Sequence, residues 1–240
     1  MRKIISLAAG LGAAVATIPA AAITTFATFT PTSNVANINF VGAGNAGAIA
    51  STPASPVTFR FLDATGTTSV FDVSAIFNFA AGITGGTIVS GIAIAPATAG
   101  TTSFTAVAPV TFNGHTGTNL LTAAFTGGAF TGLVGGSAAS YVNSQPPSAV
   151  TFTSDFLDFS QTTARDISIA INAINPSIGG GPGGLGDFSG SASGLFGADL
   201  SSGAGNDIVP EPAAWVMMVA GFGLVGVMTR RRSQMRIVEA

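Results

Sequence analysis

Asp155, Asp158 and Asp166 are the closest cluster of acids in the chain. Hard cations take oxygen ligands, so three carboxylates on one segment are an arrangement that would hold Ca²⁺. The spacing fits neither an EF-hand loop nor a glycine-rich calcium repeat. The favoured alternative pairs Arg165 with one aspartate while the others cap turns or face solvent. The one histidine, His115, sits in the glycine-rich turn Phe112-Asn-Gly-His-Thr-Gly117. A Ser-His-Asp relay is formally open, because serines and aspartates are plentiful. No G-x-S-x-G elbow marks a nucleophile, however, and a lone loop histidine is more often structural or solvated. A glycoside hydrolase needs two opposed carboxylates, a separation that sequence does not give. Between residues 23 and 208 there is no cysteine, lysine or glutamate, which excludes Cys/His, Lys-based and Glu-based mechanisms. Gly42-Ala-Gly-Asn-Ala-Gly47 has dinucleotide-loop spacing, yet it runs on to Ser51-Thr52-Pro53 instead of a helix and lies in no βαβ unit. No cofactor is expected.

The elements that must position these residues read as strands. Ala149–Ser154 alternates apolar and polar, and Ile167, Ile169 and Ile171 alternate with Ser168 and Ala170, so each run should bury one face. Phe156, Leu157 and Phe159 lie between them and should point inward while the segment crosses between sheets. Val57–Leu62 and Ser69–Phe79 read as a hairpin. Shorter candidates follow at Thr87–Ala95, Ser103–Val107, Val110–Phe112, Leu120–Phe125 and Ala129–Val134, with a last strand at Asp187–Phe196. Residues 23–56 hold one strand-like run, Ala36–Val41, and otherwise read as loop or edge. Nothing in the body has helical spacing, so the expected class is all-β: an antiparallel, sandwich-like body.

Both ends differ from this body. Arg2 and Lys3 precede the apolar run Ile4–Ile18, and Ala20 and Ala22 occupy the −3 and −1 positions of an A-x-A site, the pattern of a secretory signal peptide cleaved after Ala22. At the other end, residues 213–229 carry no charge, and 17 residues at about 1.5 Å each cover roughly 25 Å, near the lower limit for a membrane-spanning helix. Arg230, Arg231 and Arg232 follow at once and should stop translocation on the cytoplasmic side. The chain thus divides into a signal peptide with its helix (1–22), an all-β body (23–200), a polar linker (201–208) and a C-terminal segment (209–240) with a single transmembrane helix. From residue 23 to 208, two arginines face eight aspartates, a net charge of −6, so nucleic acid is not an expected partner. The absence of cysteine rules out a disulfide scaffold.

Pro210-Glu211-Pro212, then Trp215, Met217-Met218, Gly221-Phe222-Gly223, Gly226 and the three arginines resemble the C-terminal sorting signal of PEP-CTERM proteins, in the variant with Trp after the triplet. Val216 is the one departure, since this variant usually has Ala there. The resemblance implies an exosortase as processing partner, cleavage near Pro-Glu-Pro, and a Gram-negative bacterium that makes exopolysaccharide. Trp215 also suits an interfacial anchor. Residues 155–166 and 186–196 are similar to the bodies of other Trp-variant PEP-CTERM proteins, which mostly have no known activity. The expected partners are therefore the Sec translocon, signal peptidase, the membrane, an exosortase and the cell's exopolysaccharide. The chain reads as an inner-membrane precursor with its body outside, then as a cell-surface or biofilm-matrix protein that is not an enzyme. A carbohydrate-binding module is the alternative, and a glycan-active hydrolase a weaker one. Stacking residues for sugars are scarce: one Tyr and one Trp stand beside 18 Phe.

Overall fold

Short β-branched and aromatic runs broken by Gly, Pro and Asn fold as strands throughout residues 23–200 of a computed structural model, which describes that stretch apart from 44–45, 64–65, 67 and 182–183. The expected signal-peptide helix (1–22), linker (201–208) and C-terminal segment with its transmembrane helix (209–240) lie outside the described residues. In chain order the strands are β1 (Thr24–Pro31), β2 (Ile38–Ala43), β3 (Ala46–Ser51), β4 (Ser55–Leu62), β5 (Ser69–Thr84), β6 (Thr87–Val89), β7 (Ile92–Phe112) and β8 (His115–Thr126). They continue with β9 (Ala129–Leu133), β10 (Ala139–Gln145), β11 (Ala149–Thr153), β12 (Arg165–Asn175), the two-residue β13 (Gly180–Gly181) and β14 (Gly184–Leu185), and β15 (Phe188–Ala198). All their pairings are antiparallel, as the alternation predicts.

The ladder closes on itself. Hydrogen-bonded neighbours run β1–β4–β5–β7–β9–β10–β12–β15 and back to β1, so these eight strands leave no open edge between first and last. β2 and β3 bridge β15 to β5 on one side, and β8 and β11 extend from β7 on another. The inner faces of this bent, sandwich-like sheet pack on one phenylalanine core. Phe104 is fully buried at its centre, its ring 4.8 Å from Phe29, 4.9 Å from Phe59, 5.3 Å from Phe77 and 5.4 Å from Phe196. Such ring pairs contribute about 0.5–1.5 kcal/mol each beyond the area they bury. Tyr141, also buried, donates from its hydroxyl to the Gly127 carbonyl at 3.1 Å and accepts from Asn143 Nδ2 at 2.9 Å. Burial pushes this phenol up to about 12, against the smaller downward pull of the Asn143 bond.

Two readings of the sequence need correction. Residues 23–56 are not mostly loop: β1 lies between β4 and β15, and β2 and β3 form a hairpin in which Ala43 pairs with Ala46. The glycine-rich 42–47 segment is therefore the end of a hairpin, not a phosphate loop. Likewise, the candidates at 87–95, 103–107 and 110–112 are not separate pieces. All but the first few residues belong to the 21-residue β7, entered by a turn after β6. The hairpin of β4 with β5, the alternating β11 and β12, and the last strand at β15 agree with the expectation.

Candidate functional site

The three acids singled out in the sequence do separate things. Asp155 follows β11 and turns its carboxylate back onto the start of β8, where Oδ2 accepts the amides of Thr118 at 2.9 Å and Asn119 at 2.8 Å. Gly117 makes this approach possible, because a Cβ there would overlap the Asp155 carboxylate. Asp158 caps its own turn, with Oδ1 2.8 Å from the Ser160 amide and Oδ2 3.0 Å from the Ser160 hydroxyl. Those two bonds, the amide first, hold its pKa below the ordinary carboxylate value. Asp166 lies on β12 opposite in facing to the buried Ile167, with one carboxylate oxygen enclosed and unpartnered, and burial raises its pKa. Among the described residues no three acids or histidines are grouped to share a metal ion.

Arg165 departs from the expected ion pair with an aspartate. Its Nη1 donates to the Val150 carbonyl at 3.1 Å and to Gln145 Oε1 at 3.5 Å, and its Nη2 donates to the carbonyls of Thr162 at 2.8 Å and Phe159 at 3.0 Å. The guanidinium fork suits this task, since it presents several donors in one plane. The 155–164 crossing is thereby fixed over the core, with Phe156 and Phe159 buried and Leu157 partly so, as the sequence implied. His115 stands exposed at the first position of β8, opposite Phe112 across the Asn113-Gly114 turn, whose two residues have positive φ (51° and 78°).

A second group was not legible in advance. Thr24 pairs with Ala198 and Thr25 with Gly197, so the body's first and last strands begin and finish side by side. Directly after β15, the buried Asp199 accepts the amides of Thr163 and Ala164, both at 2.8 Å, and the Thr163 hydroxyl at 2.6 Å. Its own amide donates to the Ala164 carbonyl at 3.1 Å. Burial alone would raise this carboxyl, but the bonds from Thr163 and Ala164 outweigh it and leave the pKa below the ordinary value. Asn37 works similarly midway along β15, bonding Ala192 through both Oδ1 at 2.6 Å and Nδ2 at 3.3 Å. Short polar side chains inside apolar runs were the only signal for either residue.

An open depression of about 330 Å³ lies between β11 and the 155–164 crossing. Phe152, Leu157 and Phe159 form its floor, and Thr151, Thr153 and Asp158 stand at its rim.

The C-terminal end of β15, fastened by Asp199, is where the chain leaves the body for residues 201–240. Residues 209–232 match the PEP-CTERM protein-sorting motif. This chain carries that motif. A PEP-CTERM motif implies export, sorting to the cell surface and an exosortase as processing partner. Pro210, Glu211, Pro212, Trp215 and Arg230–Arg232 all fall within the matched segment, outside the described residues, and Ala20 and Ala22 also lie outside them. No curated protein and no solved structure matches the chain.

Proposed function

We propose that this protein is a non-catalytic cell-surface or extracellular-matrix component of a biofilm-forming bacterium, delivered by its PEP-CTERM segment. The Sec translocon exports it, signal peptidase cuts after Ala22, and residues 213–229 hold the precursor in the inner membrane with Arg230–Arg232 in the cytoplasm. An exosortase then reads Pro210-Glu211-Pro212 and releases the body to the surface or the exopolysaccharide matrix. The observation that carries this reading is the sorting motif at residues 209–232. The non-catalytic part is supported by what the acids do: Asp155, Asp158, Asp187 and Asp199 all accept backbone amides, which leaves them as structural clasps.

The test replaces Glu211 with Ala. That residue lies outside the proposed span, so insertion should be unchanged while processing is blocked. Mass and location of the protein in cells are the readout. If parent and variant both keep their full C-terminus and stay in the inner membrane, the segment is a lasting anchor and the sorting reading fails.

A second reading rests on the depression beside β11. Hydroxyls and one carboxylate over an apolar floor suit a short stretch of glycan, which would make the body a carbohydrate-binding module. Binding of the protein to an array of bacterial polysaccharides, abolished by replacing the exposed Thr153 with Ala, would favour it over a purely structural role.

A further inference from the structure

The geometry points to β15 as the strand through which tension from a surface attachment enters the body, with the ladder built to resist that pull in shear. This rests on the reading above, in which residues 213–229 hold the precursor in the membrane by its C-terminal side until the exosortase acts, so the attachment that pulls on β15 is that of the precursor. β15 is gripped on both flanks. Along one it pairs with β12 over almost its whole length, from Arg165↔Ala198 to Asn175↔Ser189. Along the other it pairs with β1 near its end, Thr24↔Ala198 to Phe29↔Gly194, and with β2 near its start, Phe188↔Phe40 to Gly190↔Ile38.

A pull on residue 200 directed away from the opposite pole acts parallel to β15, so the bonds along both flanks are loaded together. Inter-strand bonds lie perpendicular to antiparallel strands, which makes sliding the direction in which many must break at once. Asp199 adds four bonds to Thr163 and Ala164, three of them to backbone groups and one to the Thr163 hydroxyl, at the point where the pull arrives. A pull between the two chain ends acts differently. Ile23 and Ala198 lie at the same pole, and the Thr24–Ala198 pair would take the tension first, so β1 and β15 would unzip rung by rung.

The chain has no cysteine, so introduced ones give unique handles on the full-length protein, held in nanodiscs, for single-molecule pulling. One version carries Ser137→Cys and Ser202→Cys; Ser137 is exposed and its carbonyl accepts the Ile174 amide at 3.0 Å, near the start of β15. The other carries Ile23→Cys and Ser202→Cys. At one loading rate the 137/202 pair should unfold at about twice the force of the 23/202 pair, because forced unfolding reports the barrier along the pulled direction. The 23/202 trace should also begin with a small step that releases β1. Equal forces, or a higher force for 23/202, would overturn the proposal. Failure of exosortase processing in cells leaves this measurement untouched, so the two readings fail separately.

Discussion

Arg165 donates through Nη1 to the carbonyl oxygen of Val150 at 3.1 Å, and the amide of Val150 is taken by Gln145 Oε1 at 2.8 Å. β11 pairs with β8 on its other side, so two side chains complete an edge that would otherwise present bare backbone.

Arg165→Ala should therefore cost more than the loss of one contact. It takes the guanidinium donor from the carbonyls of Val150 and Thr162, while Phe159 keeps the amide and hydroxyl of Thr162, and unmet buried acceptors cost about 1–3 kcal/mol each, with partial relief from entering water. A loss of about 3 kcal/mol in urea unfolding is expected. Arg165→Lys should recover only a fraction of it, since a point ammonium cannot span the three carbonyls. Full recovery by lysine would mean that charge, not the fork, is what matters.

Asp199→Asn tests the clasp at the end of β15. The folded-state pKa is lowered, so the carboxylate's contribution is present above its ordinary value of 3.8 and is lost as pH falls through the folded value. The variant should be about 1–3 kcal/mol less stable at pH 7, and the gap should narrow on acidification. Urea midpoints at pH 7 and pH 3 give the comparison; a gap that widens in acid contradicts the assignment.

Asp166 has the opposite sign. Burial raises its folded-state pKa, so its contribution is complete below the ordinary value of 3.8 and declines as pH rises through the folded value. Asp166→Asn should match the parent near pH 3 and equal or exceed it at pH 7. A parent clearly more stable at pH 7 would show that the enclosed oxygen has a partner.

Phe104→Ala should be the most damaging single core change, at about 3–5 kcal/mol, because its ring is the meeting point of Phe29, Phe59, Phe77 and Phe196. Phe71, which is only partly buried and stacks on Phe112 at 5.0 Å, should cost much less. Equal losses at the two positions would argue against a single centre of packing.

How much of this is legible in the sequence depends on whether alternation survives locally. Ile167, Ile169 and Ile171 are all fully buried, as their spacing requires, and Val150 and Phe152 behave alike. β1 escapes that reading because a register shift between Thr25 and Ala27 buries the consecutive Phe26 and Ala27, which erases the period of two. β7 breaks into apparent fragments for a related reason. Its buried positions are Ala93, Ala95 and Ala97 in the first half and Thr102, Phe104 and Ala106 in the second, a change of phase around Gly100 where the pairing with β5 also shifts. The clasp residues leave no periodic trace at all, since a single Asp or Asn specifies its partner only once the chain has folded. The sorting motif is legible because it is a linear code.

The use of carboxylates as backbone clasps has one further consequence, for the medium the body can work in. Arg60 and Asp72 form a partly exposed ion pair at 3.1 Å, the kind of contact that ionic screening weakens, whereas the clasps of Asp155, Asp158, Asp187 and Asp199 are short bonds to backbone amides. The Debye length falls from about 30 Å at 0.01 M salt to about 8 Å at physiological strength, a change that alters proteins stabilised by surface charge pairs. Here stability comes from phenylalanine packing and short-range amide bonds, neither of which is screened. The same fold should persist from fresh water to brine, and beside a polyanionic polymer as readily as in dilute buffer.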